Sequence, residues 1–316
     1  MGTRYDALAP RRGPASIGSC RDNRSGFDSQ RTATCLRADD PASTRTIGTG
    51  GAADGARRHG YDFSAMGQNQ SDMRRTLGGA ARLWAAPEHH EVHDEWWVAC
   101  SGELNVNYNV ACCQSSAPDA LVEHCLQPLL DLGRPAIVML AGAGLASAQR
   151  LAEIGWVTVG ALPLMVLTPP TGSFSSLTGA RALSPEELPA ARELLIDTYG
   201  LDDSSAVAAV PDGIVTSQDM EAWGLYDGDR LVSFFTSVVE DGLAVVWSMA
   251  TRADSQGHGY GRALLGSALG QLFERGATGS LLQSSAVGQK LYGGLGYSSV
   301  EHWQLWSRPR WVMGNA

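Results

Sequence analysis

A corner of the form helix, glycine, aromatic residue, strand occurs twice in this 316-residue chain, at Gly155-Trp156 and, 141 residues later, at Gly296-Tyr297. The same displacement sets Val159 on Val300 and Leu140 on Leu281, and with a two-residue gap Gly133 meets Gly276. Self-similarity at a fixed offset is the signature of one supersecondary plan used twice. The chain is therefore expected to fold as two copies of one α/β unit.

Local patterns support that plan. In the first unit, 96–100 and 105–113 read as strands around a turn at Ser101-Gly102, and apolar residues from Leu121 to Leu130 recur at helical spacing until Gly133. A buried strand at 136–140, a short helix at 145–154 and a strand at 157–167 complete it. A polar linker over 172–180 separates the second unit, which begins at Arg181. There Ser184-Pro185-Glu186-Glu187 forms a capping box ahead of a helix reaching Tyr199-Gly200. Strands at 222–226, 231–239 and 243–251 form an antiparallel meander, followed by a helix at 259–275, a strand at 279–283, a helix at 287–295 and a strand at 298–306.

Residues 1–65 hold ten arginines and seven aspartates with no sustained apolar period, and are expected to be a disordered leader, with Met66 as an alternative start. The net charge is −9; without the leader, 14 basic residues face 26 acidic ones. That balance argues against nucleic acid as a partner, since phosphate binding needs clustered cations. Six cysteines without a CxxC and no early apolar run point to a reduced, cytoplasmic chain. No apolar stretch is long enough to span a membrane, and no membrane partner is expected.

Chemistry concentrates in Met249-Ala250-Thr251, the loop Gln256-Gly257-His258-Gly259-Tyr260-Gly261-Arg262 and the helix behind it. Glycines at alternate positions let backbone N–H groups converge, and the helix N-terminus adds partial positive charge, so a pyrophosphate can be held without lysine. The same glycines also suit a tight helix entry on steric grounds alone. A dinucleotide-binding reading fails because the preceding strands form a meander and not a parallel βαβ unit. A P-loop fails because Gly-Lys-Ser/Thr is absent and the only lysine is Lys290.

Gln256-x-x-Gly259-x-Gly261 after a strand resembles the acyl-CoA pyrophosphate loop of the GNAT family of N-acetyltransferases. About 30 residues on, the segment from Ser285 to Tyr297, with Leu291-Tyr292 and Gly296-Tyr297, resembles that family's second hallmark. The resemblance covers 181–307 and implies an α/β (α+β) GNAT fold: a mixed, mostly antiparallel sheet, splayed open and flanked by helices, here duplicated. It implies that Gln256, Gly257, His258, Gly259, Tyr260, Gly261 and Arg262 hold the cofactor's pyrophosphate through backbone amides, the side chains of His258 and Tyr260 being incidental. Met249, Ala250 and Thr251 would pair with the pantetheine arm and face the acyl carbonyl, and Tyr292 would protonate the departing thiolate. Read from periodicity alone, Tyr292 is a core aromatic. Ser285 replaces the family's usual asparagine and Gly288 its usual alanine, which weakens the expected pantetheine contacts.

No acid lies in 243–251, where relatives often place a general base; Glu240 and Asp241 in the preceding turn are candidates for it and equally ordinary turn residues. The first half, 80–170, has Gln114-Ser115-Ser116-Ala117-Pro118-Asp119 where the glycine loop should be and Leu151 in place of Tyr292, so it resembles a degenerate copy serving as a lid, a wall of the acceptor site or a homodimer surface. His89 and His93 are spaced as metal ligands would be on a helix, but Glu88–Glu95 is expected to be a charged connector with no metal. Cys112 and Cys113 should point to opposite faces of a strand. Trp223, Trp247, Trp303 and Trp306 are expected in the core, one or two of them lining an acceptor pocket.

The implied activity is acyl-CoA-dependent N-acyltransfer from acetyl-CoA to the amine of a small cationic acceptor by direct attack, the acidic exterior favouring a cation. The alternatives are a non-catalytic acyl-CoA sensor or scaffold, and an N-acetyltransferase acting on proteins or peptides.

Overall fold

A computed structural model describes residues 63–168 and 179–312, with the side chains of 63–69 excepted. The expected leader lies outside the described residues up to 62, and Phe63–Ala80 is already helix α1. Residues 172–178 of the expected linker are likewise outside them.

The first half continues with β1 (His90–Val92), β2 (Trp96–Cys100) and β3 (Asn109–Cys113). A wide helical turn at Ala120–Leu126 runs into α2 (Gln127–Leu132), where Pro128 has no N–H to give. Then come β4 (Ile137–Leu140), α3 (Ala148–Glu153) and β5 (Val157–Leu167). The second half is β6 (Arg181–Ala182), α4 (Leu188–Tyr199), α5 (Asp203–Ala209), β7 (Met220–Asp227), β8 (Arg230–Glu240) and β9 (Leu243–Thr251). It ends with α6 (Tyr260–Glu274), β10 (Gly279–Gln283), α7 (Gly288–Gly294), β11 (Ser298–Ser307) and α8 (Pro309–Val312).

Three expectations need correction. Residues 106–108 are a tight 3-10 turn and not strand, because the Asn105 side chain accepts from the Asn107 N–H at 3.0 Å and curls the chain. The expected helix at 145–154 starts as a 3-10 turn over Gly142–Ser147. The expected connector at Glu88–Glu95 holds strand β1 over His90–Val92; His89 ends a short turn before it, and the His93 ring stacks on Trp96 at 4.1 Å. Among the described residues no three His, Cys, Asp or Glu side chains gather as a metal set, and no helix is long and apolar enough to cross a membrane.

Among the described residues all eleven strands form one sheet, in the order β1-β2-β3-β4-β11-β5-β10-β9-β8-β7-β6. The two halves exchange their last strands: β5 lies antiparallel to β10 of the second half, and β11 antiparallel to β4 of the first. The exchanged strands pair with each other in the middle, from Ser298↔Val166 to Ser307↔Val157. Outside them each half has a parallel pair, β3 with β4 and β9 with β10, then antiparallel neighbours.

Alternation along the strands feeds cores on both faces. On β9, Val245 joins the cluster under α1 and α4 with Leu77, Leu194 and Trp303, whereas Ala244 and Val246 join Leu264, Leu265 and Ala268 of α6. On β3, Cys112 faces the first cluster and Cys113 a third, with Cys125 and Leu129.

Helix α1 clamps the halves. Arg74 donates from Nε and Nη2 to Glu301 of β11 at 2.8 and 2.7 Å, and Glu301 also accepts from Gly142 N and Trp303 Nε1 at 2.7 and 2.8 Å. Thr76 donates to Asp241 at 2.9 Å, and Arg82 pairs with both Asp219 and Glu240.

Candidate active site

The parallel pair of the second half opens like a V. Register pairs link Gly279, Ser280 and Leu281 of β10 to Leu243, Ala244 and Val245 of β9 and stop there. Residues 246–251 keep β8 on one side, and among the described residues no strand pairs with their other edge. In the same stretch Ser248 and Met249 together stand opposite Phe235, a bulge that leaves Ser248 at φ 51°. A left-handed serine beside an open strand edge is the kind of local strain found at functional sites.

Met249, Ala250 and Thr251 therefore sit on the open limb. The Met249 carbonyl accepts from the Tyr199 hydroxyl, and the Ala250 carbonyl accepts from Ser233 at 3.1 Å. Tyr199, at the end of α4, brings a hydroxyl to the bulge; sequence reasoning assigned it no role, because it reads only as the last residue before Gly200.

The limb leads into the glycine loop. Gln256 donates to the Thr251 carbonyl at 3.1 Å and closes the turn, and Gly257 and Gly259 take φ of 79° and 86°, which side-chain-bearing residues rarely adopt. A Cβ on either would meet nothing within 4 Å, so the space over the loop is open. The first turn of α6 has no side-chain cap at Gly259, leaving its N–H groups for an anion. Gly261 packs close, where a Cβ would stand 3.2 Å from the Met249 side chain and 3.3 Å from Thr251 Oγ1. His258 Nδ1 lies 3.4 Å from the Ser255 carbonyl, and Tyr260 donates to Asp227 at 2.8 Å, anchoring the helix start to the β7–β8 turn. Arg262 sits beside Gly294 of α7 and forms no ion pair among the described residues. Together these groups suit a pyrophosphate at the loop and an extended arm along 246–251.

Tyr292 on α7 reaches the same limb. It is buried, its hydroxyl lies 3.7 Å from Met249 Sδ, and burial holds its pKa above the ordinary phenol value, so it keeps its proton throughout the neutral range. The Ser285 hydroxyl accepts from the Gly288 N–H at 3.2 Å and starts α7, while the residue lines the cavity described next.

That cavity, of about 330 Å³, lies between Tyr292 and the first half, with Tyr108 and Met139 opposite Trp247 and Met249. Of the four tryptophans expected near it only Trp247 lines it, joined by Trp84 and Trp97. Trp223 instead donates to Ser237 at 3.0 Å within the core, and Trp303 and Trp306 pack in the cores of the inner sheet.

Residues 188–297 match the sequence profile of the Acetyltransferase (GNAT) family. These residues resemble a GNAT acetyltransferase domain. Among solved structures, the chain is similar to a GCN5-related N-acetyltransferase from Kribbella flavida at 19% identity, covering 76% of this chain and 95% of that one with a TM-score of 0.56. It is also similar to a functionally unknown conserved protein from Staphylococcus epidermidis ATCC 12228 at 11% identity, covering 69% and 92% with a TM-score of 0.51. At these identities the likeness is one of fold. No curated protein matches the sequence.

Within the matched residues the candidate bases are occupied. Glu240 is tied to Arg82 and Asp241 to Thr76, so both fasten α1 to the β8–β9 turn.

Proposed function

We propose that the GNAT domain binds acetyl-CoA and that the protein transfers its acetyl group to the amine of a small molecule. The observation that carries this reading is the V between β9 and β10 over an uncapped helix start, with Tyr292 at its inner end. The backbone from Gly257 to Arg262 would hold the pyrophosphate, and 249–251 would lie along the pantetheine arm. Acetyl-CoA supplies an activated thioester. Tyr292, which retains its proton, is placed to give it to the departing sulfur. Amide groups of the bulged limb favour negative charge on the carbonyl oxygen.

A cavity of about 330 Å³ favours a small acceptor over a protein, and the negative net charge of −9 draws an amine in its cationic form toward the surface. The first half, 80–170, is read as a degenerate copy that supplies the acceptor wall. The engagement of Glu240 and Asp241 supports one other reading, an acyl-CoA-binding protein that does no transfer.

Calorimetry of the full chain with acetyl-CoA, beside a Gly259→Glu/Gly261→Glu variant, tests the cofactor assignment. Binding by the parent and weakening of about 100-fold or more in the folded variant are expected. A folded parent that binds no acetyl-CoA overturns the assignment, and binding without thiol release across a panel of amines would favour the non-catalytic reading.

A further inference from the structure

The cavity has a lining that the transfer step leaves unexplained. Its volume, about 330 Å³, is at the lower end of the roughly 300–1,000 Å³ of small-molecule sites. Among the described residues no Asp, Glu, Lys, Arg or His lines it, and its only titratable groups are Tyr108, Tyr199 and Tyr292. Three of its rings stand nearly at right angles: Trp84 meets Tyr108 at 5.7 Å and 73°, and Trp247 at 6.1 Å and 89°. Edge-to-face surroundings of this kind suit a further aromatic ring.

Resting on the acetyltransferase reading above, we propose that the acceptor is a primary amine on an uncharged aromatic body, and that it binds with its nitrogen as the free base. An ammonium entering this lining would lose its hydration with no carboxylate to replace it, so the cavity itself favours the neutral amine. Desolvation then does what a general base does elsewhere, consistent with Glu240 and Asp241 being engaged away from the cavity. In the transfer the nitrogen's lone pair forms the new N–C bond and the C–S bond breaks with its electrons going to sulfur. The sulfur takes a proton from Tyr292, the nitrogen releases one to solvent, and Tyr292 is reprotonated, leaving an amide and a thiol.

The first test is tryptophan fluorescence of the full chain titrated with 2-phenylethylamine, 4-methoxyphenethylamine and spermidine, without acetyl-CoA. Both aromatic amines should bind at least about tenfold more tightly than spermidine. The second is thiol release from acetyl-CoA with the same amines and a short peptide with a free N-terminus, in the same order of preference. Asn107→Asp, a near-isosteric change at the exposed edge of the lining, should raise spermidine affinity about fivefold and move the acid limb of kcat for the aromatic amine upward by about half a pH unit.

Preference for spermidine or the peptide overturns the proposal, as does an acid limb that Asn107→Asp leaves in place. Aromatic binding without thiol release refutes the transferase reading and leaves the cavity's specificity standing. Release with spermidine alone does the reverse.

Discussion

The two halves share a strand order and differ in what happens at the end of their parallel pair. In the first half the pairing runs from Val110↔Ile137 to Cys113↔Leu140, the last residues of both strands. The Ala141 N–H then donates to the Cys113 carbonyl at 3.0 Å and the Gly144 N–H to Gln114 at 3.1 Å, so the turn that follows plugs the cleft. In the second half the pairing stops at Val245↔Leu281, a bulge turns the strand away, and six residues of edge remain open. One topology thus builds a closed wall on one side and an open cleft on the other. A bulge and a glycine loop separate the two outcomes.

The exchange of β5 and β11 makes each half depend on the other, and its strongest polar fastening is Glu301. Glu301→Ala would leave Arg74 buried without its partner and release Gly142 from the plug; a loss of about 3–5 kcal/mol is expected, read from denaturant unfolding. A loss under about 1 kcal/mol would show that packing alone holds the first half shut.

Tyr292→Phe should lower kcat about 100-fold while acetyl-CoA affinity, measured calorimetrically, stays unchanged. The matched Leu151→Tyr in the first half should create no acetyl-CoA binding. Burial raises the Tyr292 pKa, so the folded chain keeps a proton that the unfolded chain releases near pH 10. Its contribution to stability is therefore complete below about pH 10 and falls as the pH rises beyond it. The phenylalanine variant should lose that part of the alkaline sensitivity.

Gly144→Ala probes the plug directly, because a Cβ there would collide with the Cys113 carbonyl. Overpacking of about 1–3 kcal/mol is expected, seen as a Tm lowered by about 3–10 °C. Full acetyl-CoA binding in the same protein would show that the two clefts are independent.

The smallest effect lies in the exposed Glu187 cluster, where Arg181, Tyr226 and the Ser184 N–H converge on one carboxylate. Hydrogen bonding from Arg181 holds the Glu187 carboxyl well below the ordinary range. With the folded pKa depressed, its stabilisation is present above the unfolded value of about 4.3 and is lost as the pH falls through the folded one. Glu187→Gln should lower stability at pH 7 by about 0.5 kcal/mol, and the difference from the parent should close in acid.

Much of the local structure was legible. Strands β2, β5, β9 and β10 fall on their expected bounds, because period-two alternation and terminal glycines are properties of the segments themselves. Helix α1 was not, and it carries the adjacent Gly78 and Gly79, which are poor helix formers. The Trp97 ring lies against Gly78 and the Glu240 side chain against Gly79, where a Cβ would collide. That reason for glycine is visible only from the partner side. Likewise Tyr199, Trp84 and Tyr108 carry no motif, and they join the site only because distant elements meet there.

By itself, then, the sequence determined most of the strands and helices and the placing of a glycine loop ahead of α6 and a tyrosine on α7, all of which depend on spacing along the chain. The tertiary structure alone decided which parallel pair opens, which strands change places, what lines the acceptor cavity and which acids are spent on Arg82 and Thr76. Those are outcomes of packing and of competition for hydrogen-bond partners between residues as distant as Arg74 and Glu301, 227 positions apart, and no local pattern encodes them.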